Sequence, residues 1–413
     1  MSRYRLSLLV GSLIFTLLLT SCVSIQYSSN LEASDLDIET VVEGNTEFAI
    51  DLYKRLNSTE GNAFFSPYSI STALAMTYGG AREETAKQMA AALHFSLENE
   101  RLHQAFASIQ TTLNAIQRKK QIQLNIANSL WPQDRYPFLK EYLALTSKYY
   151  RTVITPVDYI TKPEVARNVI NSWVEEKTND KIKDIISETP DPLTRLMLVN
   201  AIYFKGNWES QFKKTATREM PFHLNENKSI EAPMMNQTSE FNYGEEERLQ
   251  VLELPYVGNK LSMLVILPKK IDGLHEFEDL LTKDSLEGWT RNISNRSVEV
   301  YLPRFKMTSE FRLDEELKSM GMKDAFDMDK ANFSGMDGNP NWLYIGAVLH
   351  KAFVDVNEEG TEAAAATGVR MGVKSAPEEP IIFRADHPFL FLIRDNSTGT
   401  ILFMGKVSNP TIE

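Results

Sequence analysis

The spacing of apolar residues changes character near the middle of the chain. In the first half they recur three and four positions apart. Phe48, Ala49, Leu52, Tyr53 and Leu56 predict a helix over 45–56. The same spacing predicts helices over 83–93, 98–116, 138–149 and 162–178. Ser66-Pro67 opens a further helix, because proline suits a first helical turn, and Gly79-Gly80 ends it. Residues 122–131 alternate as a strand does. Residues 196–205 are apolar almost without interruption, which predicts a strand covered on both faces. From Phe222 onward the chain is mostly strand-like, at 250–256, 261–267, 297–305, 343–356 and 389–406, with helical patches at 274–281 and 313–320. Helices first and strands later predict an α+β fold. Neither an internal repeat nor a Pro- or Gly-rich linker divides the body, so one large domain is expected.

One connection departs from this scheme. Between the apolar stretches 347–356 and 388–404 a short polar turn is expected. The segment 358–375 is instead long and alternating. Thr361, Ala363, Ala365, Thr367, Val369, Met371 and Val373 are small or apolar. The interleaved series is Glu362, Ala364, Ala366, Gly368, Arg370, Gly372 and Lys374. Period-two alternation makes one face fit for burial in a sheet. A loop written as a strand suggests a switch.

With 413 residues, 43% of them hydrophobic, the chain can bury a large core. Its formal net charge of −11 argues against nucleic-acid binding. The run Arg118-Lys119-Lys120 reads as a solvated helix end. Arg3 and Arg5 precede a short apolar run that ends in Leu19-Thr20-Ser21-Cys22, the pattern of a bacterial or archaeal lipoprotein signal. On that reading residues 1–21 are removed, Cys22 carries the lipid, 22–38 form a flexible tether and 39–413 are the folded body. The protein is then expected outside the cytoplasm, lipid-anchored to the cell envelope. A plain secretory signal with an incidental cysteine is the competing reading. Cys22 is the only cysteine, so the lipoprotein reading leaves no thiol for a disulfide.

Little in the chain suggests an enzyme. The six histidines are scattered without metal-site spacing, and no metal or cofactor is expected. The motifs G-x-S-x-G, H-E-x-x-H, Walker A and G-x-G-x-x-G are missing. Asp327-Met-Asp329-Lys-Ala331 begins like a calcium loop but has alanine where an oxygen ligand is needed.

Six stretches, in order, resemble the serpin family: Asn62-Ala-Phe-Phe-Ser-Pro-Tyr-Ser-Ile-Ser71, Asn171-Ser-Trp-Val-Glu-Glu-Lys-Thr-Asn-Asp-Lys-Ile-Lys-Asp184, Asn200-Ala-Ile-Tyr-Phe-Lys-Gly-Asn-Trp208, Leu317-Lys-Ser-Met-Gly-Met-Lys-Asp-Ala-Phe326, Asn332-Phe-Ser-Gly-Met336 and Phe383-Arg-Ala-Asp-His-Pro-Phe-Leu-Phe391. The likeness spans about 37–410. It implies three β-sheets, about nine helices and an exposed reactive loop. It also implies suicide inhibition of serine proteases, sometimes cysteine proteases, in which the cleaved loop enters the large sheet. A non-inhibitory serpin, acting as a binding or chaperone module, is the alternative. An extracellular hydrolase is a more distant one.

The resemblance assigns roles to particular residues. Glu358, Gly360, Thr361, Ala363, Ala365 and Thr367 match the inhibitory hinge, with no proline between 358 and 376. The bait bond lies about fourteen positions after the hinge glycine, at Lys374-Ser375; a count back from Pro388 sets it slightly later. Lysine there suits a trypsin-like target whose pocket holds a carboxylate. Ser66, Ser69, Asn200 and His350 match a polar cluster under the large sheet, the shutter. Trp208 matches the tryptophan where the hinge enters, the breach. A monomer is expected.

Overall fold

The computed structural model describes residues 33–56, 61–117, 122–152, 154–340, 342–361 and 379–412. The signal segment, Cys22 and the basic run at 118–120 lie outside them, as do Ala363, Ala365, Thr367, Lys374 and Ser375.

Among the described residues ten α-helices form: α1 (Asp35–Leu56), α2 (Pro67–Tyr78), α3 (Glu83–Ala92), α4 (Asn99–Gln117), α5 (Lys140–Tyr150), α6 (Pro163–Lys177), α7 (Leu274–Leu280), α8 (Lys283–Arg291), α9 (Asp314–Ser319) and α10 (Ser334–Asp337). The strands are β1 (Ala63–Phe65), β2 (Ile122–Pro132), β3 (Leu196–Asn207), β4 (Arg218–Asn225), β5 (Lys228–Glu245), β6 (Leu249–Pro255), β7 (Leu261–Pro268), β8 (Ser294–Pro303), β9 (Phe305–Arg312), β10 (Ala347–Asn357), β11 (Gly360–Thr361), β12 (Ile381–Arg384), β13 (Phe389–Asp395) and β14 (Ile401–Val407).

One hydrogen-bonded network follows the order β1-β14-β13-β7-β6-β5-β8-β12, with β4 beside β5. The other is a five-stranded sheet, β2-β3-β11-β10-β9, in which β3 also pairs directly with β10. Two networks stand where the resemblance implied three sheets. The cause is β5, whose 18 residues pair with β4 and β8 along most of its length and with β6 at its end. It runs from one layer into the next and joins them.

The five-stranded sheet is covered on both faces. Ile202 and Phe204 of β3, and Ala352 and Val354 of β10, pack against Leu252, Leu254, Phe391 and Ile393 of the other network. On the opposite face Val199 and Ala201 of β3 meet Ile170 and Val174 of α6. Double coverage explains why β3 reads as unbroken apolar sequence. The fold class thus agrees with the sequence, as do most element positions.

Three differences stand out. Helix α1 starts at Asp35, inside the expected tether, ten residues before the predicted start. Its early turns bury Val41 and Val42, with Ile38 packed beside them, a helical spacing that the sequence reading passed over; they also bury Asp37, Gly44, Asn45 and Thr46. Asp37 is paired with Arg101 of α4, and its N–H donates to Ser34 Oγ at 3.1 Å. Helix α8 was invisible because it buries only Leu286 and Trp289; a Thr282–Ser285 capping box starts it. The long block 389–406 is a hairpin, turned at Asp395, whose carboxylate accepts from the Ser397 and Thr398 hydroxyls at 2.7 Å.

Candidate functional site

The centre of the five-stranded sheet is a seam between two parallel strands. β3 and β10 pair from Met197–Ala347 to Tyr203–Phe353. Above that level they part, and Gly360–Thr361 fills the gap, antiparallel to both. Gly360 stands opposite Asn207 and Asn357, and Thr361 opposite Gly206 and Val356. The chain leaves β10, turns through Glu358 and Glu359, and starts back down between the strands.

That turn is fastened on several sides. The Trp208 backbone N–H donates to Glu359 O at 2.9 Å, and its indole N–H to Asn357 O at 3.0 Å. The Phe212 N–H donates to Glu358 O at 2.9 Å. Trp208 stacks on Tyr256 with ring centroids 4.6 Å apart, and the Tyr256 hydroxyl lies 3.0 Å from Thr361 Oγ1. The Glu358 carboxylate is buried. It accepts from Arg304 Nε at 3.0 Å and from the Thr217 hydroxyl at 2.5 Å. Burial pushes this carboxyl up, but the bonds from Arg304 and Thr217 outweigh it and hold it below the ordinary value.

Glycine is required at the entry. Gly360 has φ of +145°, and a Cβ there would sit 2.1 Å from Gly206 O and 2.6 Å from the Asn207 Cα. Gly206 itself faces the Phe204 and Tyr256 rings, where a Cβ would come within 2.9 Å of both. Two glycines thus let three backbones converge.

Lower on the seam, at the paired residues Asn200 and His350, a polar cluster spans four elements. The Ser66 N–H donates to His350 Nε2 at 3.1 Å, and His350 Nδ1 meets Asn200 Oδ1. Since Nε2 accepts from a backbone donor, Nδ1 carries the proton and the ring is neutral. Asn200 Nδ2 donates in turn to Ser69 Oγ at 2.5 Å and to Asn128 Oδ1 of β2. Ser69 Oγ also donates to Asn128 Oδ1 at 3.0 Å, and Ser66 Oγ to Leu402 O at 2.5 Å. Asn128 Nδ2 donates back to Ser69 O at 3.2 Å, so Ser69 and Asn128 are bonded in both directions. Burial pushes the His350 pKa down to about 3. The ring is therefore a spacer between strands and no general base at neutral pH.

Of the residues the sequence marked, Ser66, Ser69, Asn200 and His350 meet in this cluster. Glu358, Gly360, Thr361 and Trp208 meet at the entry, where Thr361 pairs with Gly206, six residues beyond Asn200 along β3 or about 20 Å at strand rise. Sequence reasoning missed Asn128, Arg304, Thr217, Tyr256 and Gly206. For Asn128 a signal existed: an amide in mid-strand, where a second amide on a neighbouring strand can satisfy it. Arg304 and Thr217 carried none, since each lies in a loop far from Glu358 along the chain.

A model of the family described as Serpin (serine protease inhibitor) matches residues 43–410. The leukocyte elastase inhibitor of Homo sapiens is 43% identical over 385 residues, covering 90% of this chain and 100% of that protein. An uncharacterized serpin-like protein of Thermococcus kodakarensis is 44% identical over 372 residues, covering 90% of this chain and 86% of that one. Among solved structures, uncleaved ovalbumin superposes with a TM-score of 0.81 at 34% identity, covering 90% of this chain and all of its own. The native state of the thermophilic serpin tengpin gives 0.80 at 32%, covering 89% and 94%.

The neutral cluster makes stability depend on pH. An unfolded histidine takes up a proton near pH 6.5, whereas His350 in the fold resists it to about 3. The unfolded state binds more protons in that window, so stability falls on acidification, by up to about 1.4 kcal/mol per pH unit per such histidine. His103, lowered to about 4 by burial, adds a similar slope, and the raised His94, bonded to Asp51, opposes it. Both are common to wild type and variant. Urea midpoints for wild type should therefore fall more steeply between about pH 6 and 4.5 than those of His350→Asn. Parallel curves would contradict the neutral assignment.

Proposed function

Since the chain belongs to the serpin family of serine protease inhibitors, we propose that it is a suicide inhibitor of trypsin-like proteases that works by strand insertion. One observation carries this reading: Gly360 and Thr361 already lie as a strand between β3 and β10, and small residues follow them.

The chemistry starts at Lys374, whose ammonium suits a specificity pocket that holds a carboxylate. The hydroxyl oxygen of the protease serine adds to the Lys374 carbonyl carbon. The bond from that carbon to the Ser375 nitrogen breaks. The serine proton, relayed by the protease histidine, goes to the new Ser375 amine. An ester between Lys374 and the protease serine remains, and water would normally cleave it.

Insertion competes with that hydrolysis. Continuing the register of Thr361 brings Ala363 between Phe204 and Val354, Ala365 between Ile202 and Ala352, and Thr367 between Asn200 and His350. The first two neighbours are fully packed, so an alanine is what the slot accepts. Thr367 arrives where the Asn200–His350 bond must open, and its hydroxyl offers both a donor and an acceptor to replace it. A charged side chain in this series would be desolvated at a cost of several kcal/mol.

The reading extends to location. A lipid on Cys22 and the tether after it would hold the inhibitor, as a monomer, at the outside of the cell envelope.

Two experiments test these statements. Mixed with trypsin, the full chain should give an adduct near the summed masses on denaturing gels. Thr361→Arg should instead be cleaved as a substrate, with attack on the loop little changed. Retained trapping by Thr361→Arg would argue against insertion. For the anchor, Cys22→Ser should move the protein from the membrane fraction to the soluble one, and an unchanged distribution would argue against lipidation.

A further inference from the structure

We propose that His94 is a pH-sensitive clasp: its doubly protonated ring ties the end of α3 to α1, and loss of one ring proton lets that end go. The inference uses no part of the insertion reading and is tested apart from it.

The backbone supplies the first support. The Phe95 N–H donates to Ala90 O at 2.8 Å and the His94 N–H to Ala91 O at 3.4 Å. α3 therefore closes in a left-handed turn centred on His94, whose φ is +54°. Glycine is the default residue in that conformation, and a side chain there is strained. His94 O also presses on α1, since a Cβ on Gly44 would come within 2.4 Å of it. A glycine on one helix and a strained histidine on the other thus bring two backbones together. Strain of this kind persists where the surroundings hold it in place.

The ring supplies that hold. Nδ1 donates to the Glu47 carboxylate at 3.1 Å, and Nε2 to the Asp51 carboxylate at 2.8 Å. Ionised carboxylates only accept, and a neutral imidazole has a single N–H. Both bonds exist together only while the ring is an imidazolium. The charged groups around it come from two helices. α1 presents Glu43, Glu47 and Asp51 along one face, four residues apart. α8 presents Lys283, whose ammonium bonds Glu43 at 3.2 Å and Glu47 at 3.4 Å. Residues 88–93, leading into the turn from α3, carry no charge.

The bond to Asp51, followed by the charges of Asp51 and Glu47, raises the pKa of the ring although burial opposes it. An unfolded histidine titrates near pH 6.5. The folded value is higher, so the contribution of the clasp is complete below about pH 6.5 and is lost as pH rises through that higher value. The neutral ring then keeps one carboxylate and turns a lone pair toward the other. It borders a cleft of about 340 Å³ between α1 and the end of α3, so the released ring swings into open space. The clasp loosens toward alkali, whereas the neutral His350 cluster weakens toward acid.

Hydrogen exchange of the full chain, followed by mass spectrometry at about pH 6 and about pH 9, tests the clasp on either side of its titration. The readout is the protection of residues 90–98 relative to an unstructured peptide at the same pH. In wild type it should fall about fivefold from the lower pH to the higher, the size of an ion pair whose ring is 29% exposed. In Asp51→Asn the side-chain amide accepts from a charged ring and donates to a neutral one, so protection should stay level. His94→Gly keeps the left-handed turn without a ring, so its protection should be level as well, and a folding fault in Asp51→Asn leaves this second comparison intact. Wild-type protection that does not change with pH overturns the clasp. So does a fall in either variant as large as that of wild type.

Discussion

Everything else in this protein is arranged around the seam between β3 and β10. Two parallel strands in the middle of a sheet can share one ladder, or each can pair with a strand that runs between them in the opposite sense. Antiparallel pairing is the slightly more stable kind per residue. Below Tyr203 and Phe353 the first arrangement holds; at Gly206 and Val356 the second has begun. The boundary lies inside the described structure, at Gly360 and Thr361, so the sheet holds the start of its own alternative.

Two polar clusters flank that boundary. At the top, Glu358 is a buried carboxylate whose charge is kept by Arg304 and Thr217, and it anchors the turn that leads into Gly360. Breaking such a pair strands a buried charge, which makes the turn a fixed pivot. Lower down, the bond between His350 and Asn200 crosses the seam itself. It uses neutral partners with replaceable donors and acceptors, so it can open without leaving a charge unpaired. One fastening is charged and the other is neutral, which is the division of labour that the proposed insertion requires.

The legibility of this arrangement in the sequence follows the range of the interactions. Period-two alternation from Thr361, small residues after Gly360 and the unbroken apolar run at 196–205 are local, and they were readable. The polar cluster under the sheet was readable only through family resemblance, because Ser66 and His350 lie 284 positions apart. Arg304 and Thr217 were not readable at all: nothing near them announces a buried carboxylate at 358. The same holds for α1, where Asp37 looks like tether until Arg101 is beside it. The joining of two sheets through β5 likewise depends on strand neighbours that no single segment specifies.

The central claim is that the loop belongs in the sheet once it is free to enter. The most direct measurement is the melting temperature of the chain before and after its loop is cut by a protease that is not trapped. With Gly360 and Thr361 already in register, the released segment should complete the five-stranded sheet, and the cut protein should melt at a higher temperature than the intact one. A cut protein that melts at the same temperature, or lower, would contradict the account.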